Sequence, residues 1–329
     1  MGELYRLIRA HFDSTFLAIL GCELMAKTNL TGDETQKNIS FLDGLHQRSI
    51  FFPAANILLS ITAFLGNSLI LVALRKETSL HPPSKFLYRC LATADLLVAL
   101  VSQPLYVTWW ISRTLSTILS RYASDAAFIT SAALCGVSLL TSTAISVERL
   151  LTLLLGLRYK QIVTLKRVCV TVTIGWVFSF SAALCFILDN RISLWYGYTT
   201  IPSCLLISIA SYTKIFRTLA HHQAQVQEQN QQRPSQVNIL NMARYRKAVY
   251  SALWVQSALV VCYLPYFIKG LVINQRKSYS LHLDVLKETA ILLVYFNSTL
   301  NPFLCCWKIS GVRQAVKQTI RQALCCPWS

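Results

Sequence analysis

The chain has 329 residues, of which 54% are hydrophobic and only 14% charged, with a mean hydropathy of +0.45. Soluble domains carry about 25% charged residues, so the pair of soluble domains usual for this length is excluded. The net charge of +17 invites a nucleic-acid reading, but the placement of the basic residues answers to a membrane instead.

Seven apolar runs, about 51–74, 86–110, 122–155, 166–188, 194–219, 246–270 and 281–307, are each long enough to cross a ~30 Å hydrocarbon core as a helix. With the first 50 residues outside, nineteen of the 31 Lys and Arg fall on the inner side: in Arg75 to Arg89, Arg149 to Arg167, Lys214 to Lys247 and Lys308 to Arg321. This positive-inside bias predicts a multi-pass plasma-membrane protein with an extracellular amino terminus. Its basic face has anionic inner-leaflet lipid as a partner and no role for nucleic acid. No 20–50-residue repeat is visible, which argues against a transporter built from inverted halves.

The expected division is an extracellular segment over 1–50, a seven-helix membrane domain over 51–307, and a short cytoplasmic end over 308–329. In the first segment, Asn29 (NLT) and Asn38 (NIS) are glycosylation acceptors, usable only outside the cytosol. Phe16 to Ala26 has the composition of a short signal-peptide core. Between the fourth and fifth runs only Asp189 to Ser193 remain for an outer loop. The Gln-rich stretch Ala220 to Asn238 reads as a flexible cytoplasmic loop. Near the end, Val312, Val316, Ile320 and Ala323 share one helix face against Arg313, Lys317 and Arg321. That is an amphipathic eighth helix on the inner membrane surface, and Cys325 and Cys326 behind it are candidate palmitoylation sites. The cysteines within the runs behave as small apolar residues, and no disulfide framework or metal-ligand spacing is readable.

Asp95, in "LATADLLVAL", is the one carboxylate deep in an apolar run. It lies nine residues in, or ~13 Å along a helix. An intramembrane acid costs several kcal/mol by most estimates, so it faces the bundle interior and marks function. Asn67 in the first run, Ser138 in the third, and Asn297, Ser298 and Asn301 in the seventh are candidate partners. Asn297 and Asn301 are spaced i, i+4 on one face, and Pro302 frees a backbone carbonyl beside them. A carboxylate with hydroxyl and amide oxygens is a ligand set for a hard cation. The alternative is that these residues only hold helices together. Pro265 in the sixth run predicts a kink and a hinge, with Tyr263, Tyr266 and Phe267 around it. At the inner end of the third run, Glu148-Arg149 reads as an acid–base pair, either an interfacial anchor or an ionic switch.

Taken together, these residues resemble a rhodopsin-like (class A) G-protein-coupled receptor over about 50–326. The motifs are "GN" (Gly66, Asn67), "LATADLL", "ERL" closing the third run, Trp176, Tyr212 in "ASYTKIF", "CYLP", and "NPFLC" before the amphipathic helix. The resemblance implies an all-α seven-transmembrane bundle with a short eighth helix. It implies a sodium and water network at Asp95, Ser138, Asn297, Ser298 and Asn301, with Asn67 beside it. It also implies a G-protein switch at Glu148, Arg149 and Tyr212, and an activation hinge at Tyr263, Pro265 and Pro302. "LLGLRYKQIVTLKR" and the last helix are similar to adenosine and melanocortin receptors, and the short fourth-to-fifth loop to melanocortin receptors. The chain departs from the family in lacking the outer disulfide, with Ser124 at one of its positions, and in carrying Leu150 and Cys305 where tyrosines are usual.

The same resemblance predicts an extracellular-ligand pocket at Gln103, Ser131, Cys135, Tyr263, Tyr266, Phe267 and Tyr295. Ser131 replaces the aspartate of amine receptors, so a monoamine is disfavoured. Tyr295 replaces the opsin lysine, Gly270 the adenosine-receptor asparagine, and Asp125 is all that answers to the melanocortin-receptor acids. An uncharged or lipid-like ligand is expected. No nucleophile–base–orienter set is present, so the chain is not expected to be an enzyme, and no cofactor beyond a sodium ion is implied. Leu150 and Cys305 keep open a receptor-like decoy or scaffold that does not signal. A channel or transporter would need further deep polar groups.

Overall fold

A computed structural model describes residues 32–78, 80–113, 117–230, 254–271 and 281–325. Every element among them is helical. Seven helices are long and apolar enough to cross a membrane: Ile50–Lys76, Pro82–Ser112, Ile118–Leu155, Leu165–Ile187, Arg191–His221, Trp254–Leu271 and Leu283–Trp307. They follow the seven apolar runs closely. We call the helices α1 (Gly32–Lys76), α2 (Pro82–Ser112), α3 (Thr117–Leu155), α4 (Leu165–Leu184), α5 (Asn190–Asn230), α6 (Trp254–Leu271), α7 (Leu281–Lys308) and α8 (Ser310–Cys325). The first eight residues of the expected sixth run lie outside the described residues, as do Asn29, Cys326 and the Phe16 to Ala26 stretch.

The bundle is inverted relative to a water-soluble core. Large apolar side chains such as Leu58, Ile174, Val177 and Leu206 are exposed, facing where lipid would be, while Asn56, Asp95, Gln103, Ser138, Ser179 and Ser208 have no exposure at all. Without a hydrophobic drive between helices in lipid, close packing of small residues and interhelical hydrogen bonds hold the bundle together. Central α3 packs against α2, α4 and α5, and α1 packs against α2, α7 and α8.

Three elements differ from the sequence expectation. The helix that crosses first begins at Gly32, so part of the expected amino-terminal segment continues α1. The glutamine-rich stretch is not loop throughout, because α5 stays helical to Asn230. Gln, Ala and Glu are good helix formers, and polarity alone does not end a helix. Third, α2 widens into a π turn over Val98–Ser102. Pro104, two residues on, has no N–H to donate, and its ring would crowd the carbonyl four residues back. The link between α4 and α5 is as short as expected but lies earlier in the chain, over 185–189: a turn of 3₁₀ helix at Cys185–Ile187, then Asp189, whose carboxylate accepts from the Arg191 N–H at 2.9 Å and caps α5.

Two glycines permit close approaches. At Gly136 of α3 a Cβ would strike the Tyr196 hydroxyl, which reaches across from α5 to bond Ser179 of α4 at 2.8 Å. Gly136→Val is therefore expected to cost about 1–3 kcal/mol, read as a lower thermal unfolding midpoint. An unchanged midpoint would mean that the α3–α5 seam is loose. At Gly311 the carboxylate of Glu77 lies against the first turn of α8, where the helix dipole favours an anion. Val312 and Ala315 are buried against α1 and α2, and the Lys76 ammonium donates to Gln322 at 2.7 Å. The near half of the predicted apolar face therefore packs on protein, while Ile320 is exposed toward lipid.

Candidate functional site

Asp95 is fully buried between α2, α3 and α7. Its Oδ1 accepts from the Ser138 hydroxyl at 2.8 Å, and its Oδ2 from the Asn301 amide at 2.7 Å. Asn67 lies alongside, donating to the Ala63 and Ser298 carbonyls at 2.9 and 3.1 Å, and so ties α1 to α7 next to Pro302. Asn297 is also buried, but it does not reach the carboxylate; it lines a gap of about 40 Å³ with Asn301, Tyr88, Ser142 and Cys305. A gap of that size has room for water beside polar groups. No protein cation pairs with Asp95 among the described residues, and the groups that face its carboxylate are the Ser138 hydroxyl, the Asn301 amide and the Ser298 hydroxyl. This buried oxygen set therefore fits a small hard cation such as sodium, held by Asp95 with Ser138 and Ser298 alongside. Among the described residues no cluster of three His, Cys, Asp or Glu offers a transition-metal site.

At the carboxyl end of α3 the expected Glu148–Arg149 pair is replaced by two separate contacts. Adjacent helix positions point about 100° apart and do not face each other. Glu148 accepts from Ser84 at 2.6 Å and from the Tyr159 hydroxyl in the one-turn helix Tyr159–Ile162. Burial raises the Tyr159 phenol above its ordinary range, and the bond to Glu148 adds to this, so it remains a donor. Arg149 turns the other way and donates to the Tyr88 hydroxyl of α2 at 2.8 Å, with its guanidinium 5.9 Å from that ring. Tyr212 of α5 is buried beside Ser146 and Arg149.

Toward the other end of the bundle, a cavity of about 730 Å³ opens between α3, α5, α6 and α7. Its volume falls in the usual range for small-molecule sites. Ser131, Cys135, Tyr263, Tyr266, Phe267 and Tyr295 all line it, as expected. Ser131 and the Tyr295 hydroxyl bond at 2.5 Å, and Tyr263 donates to the Cys135 carbonyl at 3.2 Å. Gln103 corrects the sequence reading: it is buried outside the cavity, with its amide 3.5 Å from Asn56 of α1. The π turn ending at Ser102 inserts one residue, which rotates everything after it by about 100° and swings Gln103 from the cavity toward α1. Asp125 does not line the cavity either. Both Pro265 and Pro302 lie inside helices that stay helical through them.

The sequence reading missed a charged rim. Lys269, Asp284 and Lys287 line the cavity mouth with Trp109 and Tyr106, and Glu288 is buried behind them, accepting from the Tyr106 hydroxyl. The available signal was Glu288 in "LKETAILL", an acid opening an otherwise apolar helix.

Comparison with known proteins agrees with this architecture. The family described as "7 transmembrane receptor (rhodopsin family)" matches residues 66–204 and 189–304. Melanocortin receptor 4 of Danio rerio is 24% identical over 87% of this chain and 87% of its own length. Trace amine-associated receptor 1 of Macaca mulatta is 23% identical over 80% of this chain and 85% of its own length. Melanocortin receptor 5 of Rattus norvegicus is 22% identical over 82% of each. With the family matched across most of its length and seven membrane-length helices in the bundle, this chain is a multi-pass membrane protein and belongs to the rhodopsin family of seven-transmembrane receptors.

Proposed function

We propose that the protein converts binding of an extracellular ligand in the 730 Å³ cavity into activation of a heterotrimeric G protein at the inner ends of α3, α5 and α6. In this reading the amino-terminal segment is extracellular, glycosylated at Asn29 and Asn38, and the basic face meets the cytosol. Cys325 and Cys326 carry the lipid anchor behind α8.

One observation carries this reading: polar contacts line a single face of α3 from the cavity to Arg149. Ser131 bonds Tyr295, the Cys135 carbonyl holds Tyr263, Ser138 bonds Asp95, and Arg149 bonds Tyr88. Between the last two lies the gap shared by Asn297, Asn301, Tyr88 and Cys305. A ligand that displaces Tyr263 or Tyr295 therefore perturbs the groups that hold α3 to α7. Rearrangement of α6 about Pro265 then exposes Arg149, a shift between two packings of one bundle. Tyr88 places a tyrosine hydroxyl against Arg149 from α2, a restraint on Arg149 in the resting packing that does not depend on Cys305. A sodium ion at Asp95 would supply a counter-charge favouring the resting packing.

The test is nucleotide exchange by a panel of purified heterotrimers on the full chain in lipid nanodiscs. Receptor-dependent exchange by at least one heterotrimer is expected. Silence with all of them, under every ligand class tried, would favour the decoy or scaffold.

A further inference from the structure

At the mouth of the cavity one cation makes no direct ion pair among the described residues. The Lys269 ammonium, in the last turn of α6, stands 4.2 Å from the centroid of the Tyr266 ring. No carboxylate comes within ion-pair distance of it among the described residues. Lys287, opposite on α7, lies 5.6 Å from the Trp109 centroid and 3.9 Å from the buried Glu288 carboxylate, which already accepts from Tyr106. Glu288 therefore fixes Lys287 at the rim and leaves Lys269 unmatched. A half-buried ammonium against an aromatic face gains from the ring's quadrupole, but it still lacks the anion that a low-dielectric site demands. Below the rim the wall turns apolar, with Phe128, Leu139, Ile201, Phe267, Ile291 and Val294.

We propose that the cavity takes an amphipath with a single anionic head group, a carboxylate or a phosphate, held between Lys269 and Lys287, with its apolar body reaching down toward Cys135 and Tyr263. This rests on the cavity being the ligand site and narrows the ligand's class. The head group is the counter-ion that Lys269 lacks, and lysine acts as a point charge that serves either anion. Asp284 and the buried Glu288 at the same rim disfavour a head group carrying more than one negative charge. The sequence expectation of an uncharged or lipid-like ligand keeps its lipid-like half only.

The probes are myristate, tetradecyl phosphate, tetradecanol and tetradecyltrimethylammonium, which share one chain length and differ in head group. Each is titrated, below micelle formation, onto the full chain in nanodiscs while thermal unfolding is followed by a thiol-reactive dye on the buried cysteines. The two anions are expected to raise the midpoint by several degrees at concentrations where the alcohol and the cation do nothing, and their ranking separates a carboxylate source from a phosphate source. Lys269→Gln should raise the half-saturating concentration at least tenfold, Lys269→Arg should restore it, and Lys287→Gln should give a smaller loss. Equal stabilisation by tetradecanol and myristate, or a wild-type response from Lys269→Gln, would overturn the anionic assignment and leave the cavity as a neutral-ligand site. Response to none of the four overturns the amphipath class. A myristate response retained by Ala132→Trp, which fills the cavity from α3, would instead overturn the cavity as the ligand site.

Discussion

Tyr88→Phe is expected to raise ligand-independent nucleotide exchange about three- to tenfold, and Arg149→Ala to abolish exchange. The two variants act on the ends of one hydrogen bond, 2.8 Å long and partly buried. The phenylalanine ring keeps the packing of α2 and the 5.9 Å contact with the guanidinium, and removes only the hydroxyl. Hydrogen bonds to charged groups contribute about 1.5–3 kcal/mol in soluble proteins, but side-chain bonds within membrane bundles average nearer 0.6. A bond of that size present only in the resting packing shifts a two-state equilibrium by about three- to tenfold when removed. On the proposed function Arg149 is the group offered to the G protein, so Arg149→Ala gives a loss in either packing. Basal exchange that is unchanged or lowered in Tyr88→Phe, at matched receptor density, would show that Tyr88 does not restrain Arg149.

Much of this site was legible because its residues violate their surroundings. Asp95 stood out as a carboxylate in a run of Leu, Ala and Val, and cost alone assigned it to the interior. Its bonds to Ser138 and Asn301 match the partners expected from the resemblance. What stayed hidden depends on backbone geometry or on three-dimensional distance. Gln103 was placed in the pocket by the resemblance alone, and nothing in the sequence marked the π turn over Val98–Ser102 whose inserted residue rotates the rest of α2. Glu148 and Arg149 look like a pair in sequence, yet consecutive helical residues diverge, and their real partners, Ser84, Tyr159 and Tyr88, lie on other elements. Nothing in the sequence distinguishes Lys269 and Lys287 from other lysines near the ends of apolar runs. Only the fold places both at one cavity mouth.

Asp95→Asn and Asp95→Leu are expected to separate the two roles of the buried carboxylate. In the asparagine variant the amide oxygen still accepts from Ser138 or Asn301, while the charge, and with it the attraction for sodium, is gone. In the leucine variant both donors lose their acceptor inside the bundle, and each unsatisfied group costs about 1–3 kcal/mol, less where neighbours in the membrane offer substitutes. The leucine variant should therefore unfold at the lower temperature of the two. Sodium bound only by the folded chain stabilises it by mass action, so the wild-type midpoint should rise as sodium replaces potassium at constant ionic strength. Neither variant should respond. The wild type should also lose basal nucleotide exchange as sodium rises, because a counter-charge at Asp95 favours the packing in which α2, α3 and α7 converge on it. A sodium response equal in wild type and Asp95→Asn would place the ion elsewhere. An Asp95→Leu midpoint matching that of Asp95→Asn would mean that the hydrogen bonds to Ser138 and Asn301 contribute little, and that the carboxylate is kept for its charge.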